Sequence, residues 1–515
     1  MHRKGGESAD AGMRSGVLGV VLLLVSVIVA GCGAGESGHR DGFPGGDAAV
    51  IDSVVGAQME AGLIPGASVA IVDPERGTFM RAYGVADTAT GRPATVDDHH
   101  RIGSVTKTFT ATAVLRLADE GRLALDDPLE KFVPGVPNGG AITIRDLLGM
   151  RGGVYDYSGD PEFAVQQSPV RPAREWRSED VLRVVADHPE AAKTPGQQGM
   201  YSNSEYYLLG LVLEKVAGEP LRQVLGDLAG DYGLRATFYP ADGSLPAPAG
   251  RGYAYAGDVP VDVTERTPPG VFGAAGSMVS SVADLASYAS ALGRGDLLQE
   301  PTFRARTEFT DIATLGGGTV PYGLGLAQDG RWSTHDGTVL GYSTQIGYLP
   351  DRDVSVVVAV NQQTLPPSLL LIGAASIWSA IVDDLYPGTR GSAEVAAAAT
   401  PPIPAVAEMD SQLKEVFDPG IPAADKSIRV EGDVQDPELI NRMASIQADY
   451  AFRVQVDRVT LIRPDFLTAT TSTSSSVGNM PMVVPFVARD GEWWLPTGWV
   501  CRSAGPRAAE SPACR

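Results

Sequence analysis

The stretch Arg101–Leu123, "RIGSVTKTFTATAVLRLADEGRL", places a serine three residues before a lysine at the predicted start of a helix. Ser104 and Lys107 would share one face of that helix, because positions i and i+3 are neighbours. A serine hydroxyl becomes a nucleophile when a base lies within hydrogen-bond reach, and a helix N-terminus favours the developing negative charge. Burial would lower the pKa of the lysine and let it accept a proton. The stretch therefore predicts a nucleophile beside its activating amine, unless Ser104 only caps the helix.

A second S-x-x-K stands at Ser411 and Lys414, although the whole chain has only seven lysines. Its neighbours include Asp410 and Glu415, so the pattern predicts an exposed surface helix with Ser411 as its cap. The two identical spacings show that the motif alone does not identify a site. Residues elsewhere in the chain must distinguish them.

Two further motifs follow Ser104 in the chain. Tyr201-Ser202-Asn203 comes just before a predicted helix, and His335-Asp336-Gly337 comes just before a predicted strand. A tyrosine held between cations titrates low enough to act as a base, and an asparagine beside it can orient a substrate amide. A glycine at the strand lets a substrate backbone pass close by. Tyrosines in loops and single histidines usually serve packing, but the three motifs in this order indicate a hydrolytic site.

These motifs resemble S-x-x-K, Y-x-N and K/H-x-G of the serine β-lactamase-like hydrolases, which include class C β-lactamases, D-alanyl-D-alanine carboxypeptidases and related esterases. The resemblance runs from Asp47 to Tyr386 and includes "GRLALDDPLEKFVP", "ITIRDLLGMRGG", "GAAGSMVSSVADLASYASAL" and "YGLGLA". It implies that Ser104 is acylated and that Lys107 accepts its proton. It also implies that Tyr201 is the general base that later protonates the leaving group.

The resemblance assigns further residues to the substrate. Asn203 would hold its amide, and His335 and Gly337 would line the strand edge of the cleft. The backbone N–H groups of Ser104 and Thr338 would form the oxyanion hole. The chain departs from the family where "MRGG" (150–153) replaces "HTSG" and where a histidine replaces the lysine of β-lactamases. A mostly neutral histidine binds a carboxylate weakly, so we expect a peptidase or esterase rather than an efficient β-lactamase.

Composition limits the class of protein further. A chain of 515 residues is too long for one core, and its net charge of −21 argues against nucleic acid as a partner. No cysteine–histidine cluster has zinc spacing, so we expect neither a metal nor a cofactor. The expected ligand is a small amide, ester or peptide.

The N-terminus predicts export. An apolar run from Val17 to Ala30 follows Arg14 and ends in "VAGC", which resembles the bacterial lipobox whose cysteine receives a lipid. We therefore expect a lipoprotein signal over 1–32, a lipidated Cys32, a tether over 33–46, and a location on the outer face of the cytoplasmic membrane. The alternative is an uncleaved anchor with an incidental cysteine.

Predicted elements divide the rest of the chain into two domains. Residues 47–386 read as a β-lactamase-like α+β domain, in which terminal strands share an antiparallel sheet and the middle forms a helical lobe. An Ala/Pro-rich linker over 387–407 leads to a small α+β domain over 408–503 and a tail over 504–515. The second domain resembles the actinobacterial low-molecular-weight antigen type, which implies a cystatin-like cone fold. Its last stretch, 480–501, reads as strands with a hairpin at Arg489-Asp490-Gly491.

Two questions stay open from sequence. Cys501 and Cys514 could form a disulfide in an oxidising compartment or remain two free thiols. The whole protein could be a lipid-anchored serine hydrolase. Alternatively, it could be a non-catalytic envelope protein that binds peptidoglycan fragments or a partner through its second domain.

Overall fold

The computed structural model describes residues 42–514, apart from 165–173, 190–192, 257–258, 315–318, 364–372, 392–399, 432–433, 450, 464–465, 476–477, 505–506 and 508–510. The predicted signal segment, Cys32 and the tether up to residue 41 lie outside the described residues. The described α-helices are α1 Gly45–Gly62, α2 Thr106–Asp119, α3 Ile144–Leu148, α4 Pro161–Ala164, α5 Ser178–Asp187, α6 Asn203–Ala217, α7 Leu221–Asp231, α8 Val282–Arg294, α9 Glu300–Arg306, α10 Ala374–Leu385, α11 Val406–Val416, α12 Leu439–Asp449 and α13 Thr497–Ser503.

The described strands are β1 Gly66–Asp73, β2 Gly77–Asp87, β3 Arg92–Pro93, β4 His100–Arg101, β5 Gly199–Met200, β6 Tyr253–Ala256, β7 Val259–Asp262, β8 Val279–Ser280, β9 Thr310–Ala313, β10 Thr319–Tyr322, β11 Ala327–Asp329, β12 Trp332–Val339, β13 Tyr342–Leu349, β14 Val354–Val360, β15 Arg453–Arg463, β16 Phe466–Ser475, β17 Gly478–Arg489 and β18 Glu492–Trp494.

Ten of the described strands of the first domain build a large sheet in the order β3-β2-β1-β14-β13-β12-β11-β10-β9-β5, while β4 pairs with β8 and β6 with β7 in two small sheets. The pairs of the large sheet are antiparallel except β5 with β9. The pairing of β1 with β14 confirms that the first and last segments of this domain share a sheet.

Both faces of this sheet are covered, and the sequence of β14 shows why. Every residue of "VSVVVAV" is buried, since successive side chains point to opposite faces. Val356 and Val358 pack with α1 and α10, whereas Val357 and Ala359 join the core of the helical lobe. The α+β fold class predicted for this domain is confirmed.

The helical lobe surrounds α2. Among its contacts are α6 and α7, and α2 is buried along almost its whole length. The helix ends just before Gly121, whose φ of +69° is the left-handed conformation expected after a helix end. Lys107 of the S-x-x-K sequence is therefore buried inside the domain, while Ser104 before it is half-buried.

The C-terminal domain has its own sheet, in the order β15-β16-β17-β18, and its own core with α11, α12 and α13. The predicted hairpin is confirmed, because Asp490 and Gly491 turn the chain with positive φ angles of 50° and 80°. The prediction of strand continuing to Cys501 is wrong. Pro496 has no N–H to donate to a ladder, and its carbonyl accepts from Trp499 to open helix α13.

Cys501, on α13, is joined to Cys514 by a disulfide, with Cα atoms 5.6 Å apart. Helix α1 begins at Gly45 and α11 at Val406, each close to a predicted domain boundary, and the boundaries themselves stay predictions. Within the part of the chain that is described, no helix is both long and apolar enough to cross a membrane, and no cluster of side chains could hold a metal.

Candidate active site

Ser104 lies in a 3-10 turn, Gly103–Val105, that leads directly into α2. Gly103 has a φ of +51°, and a Cβ on it would come within 2.6 Å of the Thr338 nitrogen. A Cβ on Gly337 would come within 2.0 Å of the Ile102 oxygen. The two glycines therefore allow the turn to touch strand β12. At this contact the backbone nitrogens of Ser104 and Thr338 each lie beside one of the two glycines, and their role as an oxyanion hole stays a prediction.

Lys107 is fully buried one turn after Ser104. Its Nζ lies 2.9 Å from Ser104 Oγ, 2.7 Å from Asn203 Oδ1 and 2.8 Å from the carbonyl oxygen of Ala275. Burial lowers the pKa of Lys107 to about 7, although nearby carboxylates oppose the shift. Near neutral pH a large fraction of this amine is therefore uncharged and able to accept the proton of Ser104.

Asn203, the first residue of α6, fixes the position of Lys107. While its oxygen accepts from Lys107, its Nδ2 donates to Ser158 Oγ at 2.9 Å. The Ser158 hydroxyl in turn donates to Asp156 Oδ2 at 2.9 Å. One N–H of the Asn203 amide is left for other partners, so its predicted contact with a substrate amide stays a prediction.

Tyr201 lies against Lys107, whose Nζ is 4.9 Å from the ring centre. Burial raises the pKa of Tyr201 well above its usual range; Asp336 raises it further, and a hydrogen bond with Ser104 acts in the opposite direction. The expectation that Tyr201 titrates low is therefore wrong. Desolvation of the phenolate outweighs the attraction of the single nearby amine. At neutral pH Tyr201 carries its proton and can donate it.

His335 is buried on β12 and is held on both ring nitrogens. Its Nδ1 lies 2.6 Å from the carbonyl oxygen of Asp336, so Nδ1 carries the hydrogen and Nε2 accepts from the Tyr322 hydroxyl at 3.1 Å. Burial lowers the pKa of His335 to about 4. The imidazole is neutral at pH 7, in agreement with the expectation from sequence.

Sequence reasoning missed several residues around this site. Tyr322 belongs to the "YGLGLA" stretch, which was used only for the resemblance. Asp156 and Ser158 come from a loop with no motif, so their contact with Asn203 depends entirely on tertiary structure.

Glu205 is a further buried residue that sequence reasoning missed, and it holds the unusual "MRGG" loop. Its carboxyl accepts from the backbone nitrogens of Gly152 at 3.1 Å and Val154 at 3.4 Å. Burial raises the pKa of Glu205 to about 8. An acidic residue directly before the apolar run of α6 was the available signal. The loop is thereby attached two residues beyond Asn203.

The second S-x-x-K has a different environment. Ser411 is exposed in the interior of α11, which begins five residues earlier at Val406. The prediction of a helix cap is therefore wrong, while that of an exposed surface helix is confirmed. Lys414 pairs with Asp410 at 2.5 Å and keeps 57% of its side chain exposed.

Comparison with protein families gives two matches. The model of the family described as Beta-lactamase matches residues 51–373, and that of the low molecular weight antigen MTB12, C-terminal domain, matches residues 402–511. Protein flp of Staphylococcus aureus (strain MW2) is 34% identical over 182 residues. That alignment covers 34% of this chain and 35% of the relative, so the chain spans about a third of the relative's length.

Solved structures share the fold of the first domain. A D-stereospecific amidohydrolase from Streptomyces sp. is 30% identical with a TM-score of 0.56, and the match covers 67% of this chain and 99% of that one. The D-amino acid amidase from Ochrobactrum anthropi SV3, complexed with L-phenylalanine, is 25% identical with a TM-score of 0.56, covering 62% and 92%.

Proposed function

We propose, for a chain that belongs to the beta-lactamase family of serine hydrolases, that Ser104 is the acylated nucleophile in the hydrolysis of small amides and esters. The observation that carries this proposal is the 2.9 Å contact between Ser104 Oγ and a fully buried lysine amine. An exposed ammonium would offer only a hydrogen bond, whereas a neutral buried amine can take the serine proton.

Acylation then follows from the positions of the groups. The neutral Nζ of Lys107 accepts the Ser104 proton as Oγ attacks the substrate carbonyl carbon. The oxygen that gains negative charge lies between the backbone N–H groups of Ser104 and Thr338. Each such donor contributes on the order of a hundredfold in rate, because it is already oriented before the charge develops.

Tyr201 supplies the second proton transfer. Because it is protonated at neutral pH, it can donate to the leaving amine or alcohol as the tetrahedral species collapses to the acyl-enzyme. The proton taken up by Lys107 stays in the same cluster, 4.9 Å from the Tyr201 ring centre, and can replace the one donated. Water then attacks the acyl-enzyme with the same groups acting in reverse.

The substrate we propose is a small amide or ester, either peptide-like, as in a D-alanyl-D-alanine carboxypeptidase, or a simple ester. Acylation by a β-lactam uses the same steps and stays possible. The names of the two similar solved structures, a D-stereospecific amidohydrolase and a D-amino acid amidase, support amides of D-amino acids within this class. The neutral state of His335 supports donors that do not depend on a cation in the cleft.

An experiment on the soluble form, Gly33 onward, separates these possibilities. Intact-mass spectra are taken over time with a penicillin, and hydrolysis of a nitrophenyl ester is measured beside them. A lasting penicillin adduct that depends on Ser104 indicates a carboxypeptidase-like enzyme with slow deacylation. Ester hydrolysis without an adduct indicates an esterase. Absence of both, with wild type and Ser104→Ala alike, would contradict the proposed activity and favour the non-catalytic binding protein.

The location is a separate proposal. We propose that the chain is exported and anchored by lipid on Cys32 at the outer face of the cytoplasmic membrane, with the C-terminal domain available to an envelope partner. The support is the apolar run before "VAGC" in the sequence. Metabolic labelling with a fatty-acid probe should depend on Cys32. Label that persists in Cys32→Ala would refute the anchor.

A further inference from the structure

Asp336 has no role in the mechanism above, yet it lies at the edge of the same cleft. Strand β11 pairs with β12 only at Trp332, Ser333 and Thr334. Beyond Thr334, no other described strand occupies this edge of β12. Asp336 follows there, two residues before Thr338, whose N–H belongs to the proposed oxyanion hole. A substrate whose carbonyl reaches Thr338 must therefore pass Asp336.

The side chain of Asp336 is exposed, and successive side chains of a strand point to opposite faces. His335 and Gly337 are buried against the nucleophile turn and its partners, whereas Asp336 and Thr338 are exposed to solvent. Within the described part of the chain, no ion pair or hydrogen bond engages the Asp336 carboxylate. Its charge is therefore free to act on whatever enters.

The negative charge of Asp336 also influences the groups of the proposed mechanism. The Asp336 carboxylate acts on both Lys107 and Tyr201 and raises the pKa of each. The other charge that acts on Lys107 is a second carboxylate, Asp156. His335 is neutral, and Lys107 is itself only partly charged near pH 7. The carboxylates of Asp336 and Asp156 therefore place negative charge beside the position where the acyl group of a substrate would bind.

Resting on the proposed function, we propose that Asp336 selects the acyl donor. It favours amides and esters that carry an ammonium group next to the scissile carbonyl, as an amino acid with a free amine does, and it disfavours donors that carry a carboxylate there. An ammonium would lie between the exposed Asp336 carboxylate and the open strand edge. A carboxylate in the same place would meet the like charge of Asp336.

The test compares three para-nitroanilides at pH 7: D-alanine, N-acetyl-D-alanine and N-succinyl-D-alanine, which are cationic, neutral and anionic at the acyl end. The wild type should show the highest kcat/KM on the cationic donor and the lowest on the anionic one. In Asp336→Asn the ratio of cationic to anionic kcat/KM should fall by roughly tenfold, the effect of one unit charge at a partly exposed site. High salt should reduce the wild-type ratio in the same direction.

The matched control is Asp227→Asn, an exposed aspartate on α7 that belongs to none of the three motifs, which should keep the wild-type ratio. An equal fall on all three donors in Asp336→Asn would mean that Asp336 only adjusts the pKa of Lys107, and the selectivity would be refuted. A wild type that prefers the succinyl donor would also overturn it. Failure of all three donors, with no dependence on Ser104, would instead contradict the proposed function itself and with it this inference.

Discussion

The chain spells S-x-x-K twice, and the two copies have opposite environments. At Ser104 the lysine is fully buried, contacts the serine at 2.9 Å and shares its remaining hydrogens with Asn203 and Ala275. At Ser411 the lysine is exposed and pairs with an aspartate on its own helix. The spacing puts serine and lysine on one face in both places, but only burial makes the amine a base.

This difference also explains the polar network around the first copy. A buried lysine must have its hydrogens satisfied, and beside Ser104 two residues from distant segments of the chain, Asn203 and Ala275, supply acceptors. The second copy needs none of them, because water solvates its ammonium. The motif is therefore informative only together with the tertiary contacts that desolvate it.

Replacement of the serine should give the largest difference in activity between the two copies of S-x-x-K. Ser104→Ala should lower kcat/KM on a nitrophenyl ester by at least about a thousandfold, because the attacking atom is lost. Ser411→Ala should keep the wild-type value, since Ser411 is an exposed helix residue. Steady-state kinetics on both variants decide this, and a large loss in Ser411→Ala would reverse the assignment.

Replacement of the lysine should give a slightly smaller difference in acylation rate between the two copies. Lys107→Met keeps the length and apolar volume of the side chain but removes the base, and it should slow acylation about a hundredfold to ten-thousandfold. Lys414→Met should leave the rate unchanged and lose only its surface ion pair. Circular dichroism of Lys107→Met shows whether the fold is kept. A folded variant with wild-type rate would exclude Lys107 as the base.

Tyr201→Phe tests whether Tyr201 is the acid that protonates the leaving group, with Lys107 as the base. If Tyr201 donates a proton to the leaving group, the variant should lose about a hundredfold on an anilide but much less on a nitrophenyl ester, whose leaving group needs no proton. Equal losses on both substrates would indicate that Tyr201 assists the attack of Ser104 instead. The measurement is kcat/KM for each substrate in wild type and variant.

Much of this site follows from the sequence. Ser104, Lys107, Tyr201 and His335 were predicted to converge, and the structure brings them together around the turn before α2. What could not be predicted depends on burial. The high pKa of Tyr201 results from desolvation, which no local pattern reveals.

The same limit applies to the fold. The terminal strands of the first domain could be predicted, because a fully buried strand such as β14 leaves a continuous run rich in β-branched residues in the sequence. Helix α13 was missed since its apolar residues, Trp499 and Val500, read equally well as strand. Pro496 was the signal that could have ended the strand.

A buried carboxyl in the first domain should also make the stability of the protein depend on pH. Glu205 has its pKa raised from 4.5 to about 8 by burial. The folded protein therefore holds this proton more tightly than the unfolded chain, and the associated stability is present below about pH 4.5 and lost as the pH rises through about 8. Relative to Glu205→Gln, the wild type should lose on the order of 4 kcal/mol between pH 5 and pH 8.5, because each pH unit between the two pKa values costs about 1.4 kcal/mol.

Urea unfolding at the two pH values measures this loss. Glu408→Gln, on the exposed first turn of α11, is the control and should show no comparable change relative to wild type. A pH dependence shared equally by wild type and Glu205→Gln would show that Glu205 is not the titrating group.

The most direct measurement of the central claim labels both serines in one molecule. A fluorophosphonate reacts with activated serine hydroxyls, and peptide mapping reports the occupancy of Ser104 and Ser411 separately. We predict that label accumulates on Ser104 and not on Ser411, and that the labelling rate rises with pH through about 7 as Lys107 loses its proton. Equal labelling of both serines, or a Ser104 rate that ignores pH between 5 and 9, would contradict the account.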